Sequence, residues 1–226
     1  MKKLTIAILM LFSSYSLASA EIGVNIGATA STGVFMATAT ETDTGTHGTT
    51  TGHDENNTED GYLPAAFLSV FLEKTLGDRF MIGASYMPDA IESETATADR
   101  FERTGRAGSA GTSVSQTIQV DFEDLTTVYA GLMVTDEAYI KVGAMTVDLV
   151  TNETLGTGST YGNANLDGTV IGVGYNKSMD NGIFVRAEAS YMQFDGVSLT
   201  SSSGSQKMKL DHLDGVAASL SLGKSF

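Results

Sequence analysis

Apolar and polar side chains alternate with a period of two along most of this chain. Near the start, Ile22, Val24 and Ile26 alternate with Gly23 and Asn25. Successive side chains of a strand point to opposite faces, so this pattern predicts strands with one apolar face. Seven further segments alternate in the same way, at 67–73, 80–86, 118–134, 140–144, 171–176, 183–191 and 215–226. The chain therefore contains eight predicted strands, and within 118–134 the even-numbered apolar residues are expected to share one face.

The connections between these strands alternate in length. Three are tight and carry Gly, Asp or Asn, at 76–80, 135–139 and 179–183, as short hairpins require. Four are long and polar, at 40–61, 92–113, 151–167 and 196–206. Strict alternation predicts that all long loops emerge at one end of the sheet and all short turns at the other.

This sorting of loops by length indicates the fold class. Short turns on one side, long loops on the other, an even number of strands and an apolar outer face are typical of a transmembrane β-barrel. A soluble secreted β-sandwich gives no reason for sorted loops. We therefore predict an all-β, eight-stranded, antiparallel up-and-down transmembrane barrel with short periplasmic turns and long external loops. Its first and last strands must pair, because no sheet edge can stay open in hydrocarbon.

The last strand carries a further signal. Its apolar residues all share one parity, and the final one is aromatic: Val216, Ala218, Leu220, Leu222 and Phe226. This ending resembles the signal by which the barrel assembly machinery recognises bacterial outer-membrane proteins, carried here by Leu220, Leu222 and Phe226. The chain as a whole resembles the small eight-stranded outer-membrane barrels, which include OmpA-type domains, opacity-type surface proteins and OmpW-like proteins. The resemblance implies a Gram-negative outer membrane, with lipid, lipopolysaccharide and the assembly machinery as partners and an oligomeric state left open.

The first twenty residues have the features of an export signal. Lys2 and Lys3 precede an apolar run of nine residues, and Ala18-Ser19-Ala20 matches a small-residue cleavage pattern. The run is shorter than the roughly 20 residues that a transmembrane helix needs. We predict a signal peptide at residues 1–20, followed by a barrel at residues 21–226.

The composition of the chain disfavours some kinds of binding partner and limits which residues can form the aromatic belts. Removing Lys2 and Lys3 leaves 11 basic against 27 acidic side chains, a net charge of −16, which disfavours nucleic acid. The chain has no cysteine and hence no disulfide framework. It also lacks Trp, so we expect the aromatic belts of the barrel to use Tyr and Phe, at Phe80, Tyr86, Tyr175, Tyr191 and Phe226.

Four charged residues occupy positions that are predicted to face the lumen: Glu73, Lys141, Arg186 and Glu188, with Asn25 on the same parity. Buried charges are unfavourable unless they are paired, so two acids and two bases favour an ion-pair network across the barrel. The interior of an eight-stranded barrel is just filled by side chains. We expect the network to close the lumen, and a narrow charge-lined channel for small solutes or ions is the alternative.

Other polar groups lie in the long loops. His47 and His53 accompany an acidic, Thr-rich run that is expected to be solvated. Arg100, Arg103 and Arg106 form a basic cluster that could contact lipopolysaccharide phosphates. A lipid-modifying enzyme is the third possibility, from His212 with Asp211, Asp214 and Ser201, Ser202, Ser203 and Ser205. We predict no catalytic residues, no metal and no cofactor, and a structural or surface-interaction role.

Overall fold

The computed structural model describes residues 23–43, 55–102, 112–154, 160–202 and 206–226. These residues form eleven strands: β1 (Val24–Asp43), β2 (Glu55–Leu76), β3 (Phe80–Tyr86), β4 (Ile91–Glu92), β5 (Ala96–Glu102), β6 (Thr112–Met133), β7 (Ala138–Thr154), β8 (Ala164–Ser178), β9 (Ile183–Phe194), β10 (Val197–Thr200) and β11 (Gln206–Ser225). In the part of the chain so described, no helix is long and apolar enough to cross a membrane. The predicted signal peptide lies outside these residues and stays a prediction.

Eight of the strands close into an antiparallel ring, which confirms the predicted fold class. The order is β1, β2, β3, β6, β7, β8, β9 and β11, and β11 pairs with β1. At the seam of the ring Phe226 N donates to Val24 O at 2.9 Å and Val24 N to Phe226 O at 3.2 Å. The ladder therefore has no open edge where the first and last strands meet, as an apolar surrounding requires.

The register around the ring fixes the stagger of the strands. Following paired residues from Asn25 through β2, β3, β6, β7, β8, β9 and β11 returns to Phe35, ten residues further along β1. Two neighbouring strands are thus offset by little more than one residue on average. Strand number and stagger together set the diameter, and eight strands leave an interior that side chains can fill.

The two faces of the wall have opposite character. The outward face carries large apolar side chains that stay exposed in the isolated chain, among them Ile26, Leu68, Val70, Val142, Ile171, Val173, Leu220 and Leu222. Near the short turns the inward face carries charged, small and aromatic residues, and further up it is mostly apolar. This arrangement is the one expected of a barrel whose outer surface meets lipid.

Within the described residues, the long polar connections are mostly strand, which differs from the sequence-based expectation of loops. β1 and β2 stay paired as far as Asp43 and Glu55, and β5, β10 and the first residues of β6 and β11 occupy other predicted loops. Thr is abundant in these segments and favours strands. Pairs of side chains across the β1–β2 hairpin add hydrogen bonds, with Thr38 Oγ1 donating to Asp60 Oδ1 at 2.7 Å and Thr40 bonded to Thr58 at 3.0 Å.

A bulge in β6 overturns the expectation that even-numbered residues of 118–134 share a face. The β6–β7 register shifts between Glu123 and Thr126, and Asp124 has a positive φ of 55°. An extra residue in a strand reverses which parity faces inward. Val128 therefore points outward, whereas Phe122 packs against the interior apolar cluster.

The wall is paired least where β2 leaves β3. These strands pair only from Val70 to Leu76, and above that point the described part of β2 pairs with β1 alone. The chain has two prolines, and both flank this opening, Pro64 on β2 and Pro88 just after β3. Because proline has no backbone N–H, it cannot donate to a ladder and occurs at sheet edges.

Candidate functional site

The deepest polar contact in the lumen joins two predicted site residues, Glu73 on β2 and Arg186 on β9. Arg186 Nη1 donates to Glu73 Oε2 at 2.5 Å, and Nη2 donates to Oε1 at 2.9 Å. Side-chain exposure is 8% for Arg186 and zero for Glu73. Tyr129 Oη donates to Glu73 Oε2 at 2.8 Å and Asn25 Nδ2 to Oε1 at 3.3 Å. The carboxylate therefore has partners on both oxygens, as a buried charge requires.

Aromatic rings surround the guanidinium on several sides. The Arg186 Cζ atom lies 5.1 Å from the centroid of Tyr139, 5.2 Å from Phe184 and 5.6 Å from Phe71. Ring faces attract a cation within about 6 Å, more strongly when water is excluded. These rings therefore hold the guanidinium in place and fill the space around it.

The other two predicted residues, Lys141 on β7 and Glu188 on β9, form a second pair. Lys141 Nζ bonds to Glu188 Oε1, and Tyr139 Oη donates to Glu188 Oε2 at 2.6 Å. Lys141 Nζ also lies 5.1 Å from the ring centroid of Tyr129. Since Tyr129 and Tyr139 each contact both pairs, the four charges form a single layer, here called the ionic layer. Its formal charges cancel.

Glycines on neighbouring strands make room for the two tyrosines. A Cβ atom at Gly83 would lie 2.7 Å from Tyr129 Cζ, and one at Gly174 would lie 2.2 Å from Tyr139 Cζ. A real side chain cannot occupy either position unless the ring moves. Tyr129 and Tyr139 were not predicted as site residues, although their inward parity, opposite to that of Val128 and Ile140, was a signal that could have identified them.

A small cavity of about 80 Å³ lies directly above the ionic layer. Eight of its twenty lining residues are serine or threonine: Thr29, Ser31, Ser69, Ser85, Thr127, Ser190, Ser219 and Ser221. Some of these bond to each other across the β1–β11 seam, Ser31 to Ser219 at 2.8 Å and Thr29 to Ser221 at 2.9 Å. A polar cavity of this size has room for water molecules.

Above the cavity the lumen is filled by an apolar cluster. Its buried members are Phe35, Ala65, Met87, Ile91, Leu125, Met145, Val147, Leu149, Leu166, Val170, Met192, Phe194, Leu213 and Ala217. From the sequence we predicted charged residues in the lumen and no apolar cluster there. The signal for this cluster was present in β7, where apolar residues change parity from Ile140 and Val142 to Val147 and Leu149. The lumen thus has two seals in series, one ionic and one apolar.

The residues of the predicted assembly signal lie on the outer face. Leu220, Leu222 and Phe226 are all more than half exposed in the isolated chain. The predicted belt residues divide into two levels. Phe80, Tyr175 and Phe226 lie near the short turns, whereas Tyr86 and Tyr191 lie near the other end, where each donates to an aspartate, Asp124 and Asp214 respectively.

The predicted alternative sites are not assembled by the described residues. His212 Nε2 lies 3.6 Å from Asp214 Oδ2 in a partly exposed pair on β11, whereas Ser201 is buried and its Oγ accepts from Gln206 N. Within the described ranges, no group of three or more His, Cys, Asp or Glu could hold a metal ion. His47, His53, Arg103, Arg106, Ser203 and Ser205 lie outside the described residues, and of Arg100 only the backbone is described.

Comparison with known proteins shows the fold. No protein-family model matches the chain, and no curated protein matches its sequence. Among solved structures, OprG of Pseudomonas aeruginosa is similar, with a TM-score of 0.52, 10% identity, and 91% of this chain and 96% of that chain covered. Outer membrane protein AlkL matches with a TM-score of 0.49 at 14% identity, covering 95% and 96%. The outer membrane protease OmpT of Escherichia coli matches with a TM-score of 0.46 at 11% identity, covering 95% and 100%. The chain has the fold of the small outer-membrane β-barrel proteins.

Proposed function

We propose that this chain is a non-enzymatic outer-membrane barrel that is closed to water and ions and acts through its structure or its outer surface. The observation that carries the proposal is the pair of seals in the lumen. The ionic layer satisfies both carboxylates, and the apolar cluster above it excludes water independently. A path across the membrane would require both to open at once.

If the lumen is closed, the protein must act through its outer surface. The paired extensions of β1 and β2, whose Thr, Asn and Asp side chains bond to each other, form a polar sheet beyond the apolar band. Such a surface suits contacts with lipopolysaccharide or with molecules outside the cell. The exposed Leu220, Leu222 and Phe226 support contacts with lipid and with the barrel assembly machinery.

The second candidate function is a narrow path for ions or small solutes. The observation in its favour is the hydroxyl-lined cavity, which already forms a polar segment in the middle of the lumen. In this case the ionic layer would be a gate, since rearrangement of Arg186 or Glu188 would connect the cavity to the short-turn end.

Planar-bilayer conductance of the refolded protein separates the two. We compare it with Arg186→Ala and Glu188→Ala, each checked for folding by its circular dichroism spectrum. The closed barrel predicts silence in all three, because the apolar cluster still fills the lumen when one charge is removed. Discrete openings whose size changes in the variants would overturn the proposal in favour of the channel.

A further inference from the structure

Three methionines lie at the boundary between the cavity and the apolar cluster. Met87, Met145 and Met192 all line the cavity, and their exposures are 1%, 2% and 5%. They are the only methionines in the described apolar cluster, whose other members are aliphatic, aromatic or alanine. The thioethers are therefore concentrated where the apolar interior meets hydroxyl groups.

The register places these three residues at one height in the barrel. Met145 pairs with Thr127, which pairs with Ser85, and Met87 is two residues above Ser85. In the other direction Met145 pairs with Gly168, which pairs with Phe194, and Met192 is two residues below it. The stagger of ten residues is spread over eight strands. Residues at one height on every second strand should therefore differ from their paired register by about two residues, in the directions found for Met87 and Met192.

The three side chains therefore enter the lumen from every second strand of the ring. The remaining alternate strand is β1, and it carries Gly33 at this height. Met192 pairs with Gly215, which pairs with Phe35, and Gly33 is two residues below Phe35. Because Gly33 has no side chain, these alternate strands bring only the three methionine side chains to the middle of the lumen at this height. Met87 also directly precedes Pro88, beside the stretch where β2 and β3 no longer pair.

We propose that Met87, Met145 and Met192 form a binding site for a soft monovalent cation, Cu(I) or Ag(I). Thioether sulfur is a ligand that selects soft ions such as Cu(I) over the hard cations that carboxylates prefer. The cavity beneath supplies hydroxyl oxygens or water as a fourth, weaker partner, and the charges of the ionic layer cancel, so they add no net repulsion. This site goes beyond the proposed function, and it stands whether or not the barrel conducts.

Silver nitrate in chloride-free buffer is the probe, because Ag(I) needs no reductant. The protein is refolded in detergent micelles with ¹³C-methyl methionine and titrated by NMR. We expect the methyl signals of Met87, Met145 and Met192 to shift together and to saturate at one Ag(I) per chain. The signal of Met179, which is 51% exposed, should not follow them.

A matched pair of variants completes the test. Met145→Leu keeps the volume of the side chain but removes its sulfur, and we expect Ag(I) to bind at least about tenfold more weakly. Met179→Leu should bind Ag(I) with the same affinity as the unchanged protein. If Met145→Leu does not fold, Met192→Leu replaces it. The proposal is overturned if no saturable shift occurs, if only exposed methionines respond, or if the buried variant binds with unchanged affinity.

Discussion

The lower and upper halves of the lumen are closed by opposite chemistry. Near the short turns, two acids and two bases are held by two tyrosines, and the buried carboxylates of Glu73 and Glu188 each accept from both a cation and a phenol. Further up, the same inward positions carry Leu, Val, Ile, Phe and Met, with no charge in the buried cluster. Both halves fill the space that eight strands leave.

The two halves should fail in different ways when they are altered. In the lower half, removal of one partner leaves a buried charge unpaired, and the loss of stability depends on which partner remains. In the upper half, removal of a side chain leaves a cavity, and the loss depends on its volume. In the ionic layer, therefore, the loss of stability depends on whether the partner is also removed. In the apolar cluster it does not.

The largest expected effect is that of Arg186→Ala. Glu73 would be left as a charge without its cation at zero side-chain exposure, so the free energy of unfolding should fall by about 3–5 kcal/mol. The measurement is urea unfolding in lipid vesicles at neutral pH. The double variant Arg186→Met, Glu73→Leu should lose much less, because no unpaired charge remains. Equal losses in the two would contradict the ionic layer as described.

Leu166→Ala tests the upper half and should lose about 3 kcal/mol. Leu166 is 2% exposed and belongs to the apolar cluster, so truncation leaves a cavity among packed neighbours. The same unfolding experiment measures it, with Leu68→Ala as the control on the outward face, where no interior cavity forms. If the control lost as much as Leu166→Ala, packing inside the upper half would not be what stabilises it.

Gly174→Ala should have a smaller effect, about 1–3 kcal/mol, and should act on the lower half from the neighbouring strand. The new methyl group would lie 2.2 Å from Tyr139 Cζ, so the ring must move and its bond to Glu188 must weaken. Gly162→Ala is the matched control, because a Cβ atom there meets nothing within 4 Å. Unchanged unfolding of Gly174→Ala would contradict the placement of Tyr139.

The smallest effect is expected from an exposed ion pair at the short-turn end. The hydrogen bond from Lys177 Nζ, at 2.5 Å, and a second from Tyr175 lower the pKa of Glu137 below its usual 4.5. Since the pKa is lower in the folded state, the stabilisation is present above 4.5 and is lost as the pH falls through the lowered pKa. Glu137→Gln should therefore differ slightly from the unchanged protein at pH 7, less at high salt. The difference should vanish in acid, and a gap that persisted there would exclude ionisation of Glu137 as its cause.

Much of the lower half followed from parity. Glu73, Lys141, Arg186 and Glu188 were assigned to the lumen because they alternate with lipid-type residues, and the structure brings these four together. Their pairing could not be read from the chain, because Glu73 and Arg186 are 113 residues apart and meet only through the stagger of the ring. Tyr129 and Tyr139 were not predicted, because inward parity alone does not show which charged groups a tyrosine will contact.

The upper half was less predictable, for a physical reason. The bulge at Asp124 reverses the parity of β6, and a sequence read with one fixed period cannot show where an extra residue leaves the ladder. The polar segments between strands were expected as loops, and most of their described residues are instead paired as strand.

By itself, the sequence determined the all-β class, the number of strands in the ring, their outward apolar face and the candidate charges of the lumen. These follow from a side-chain period of two and from connections of alternating length, which are local properties of the chain. Only the tertiary structure decided which acid meets which base, that an apolar cluster seals the upper lumen, and that three methionines share one height. Those properties depend on the register of strands that are distant in sequence, and the register is set by closure of the whole ring.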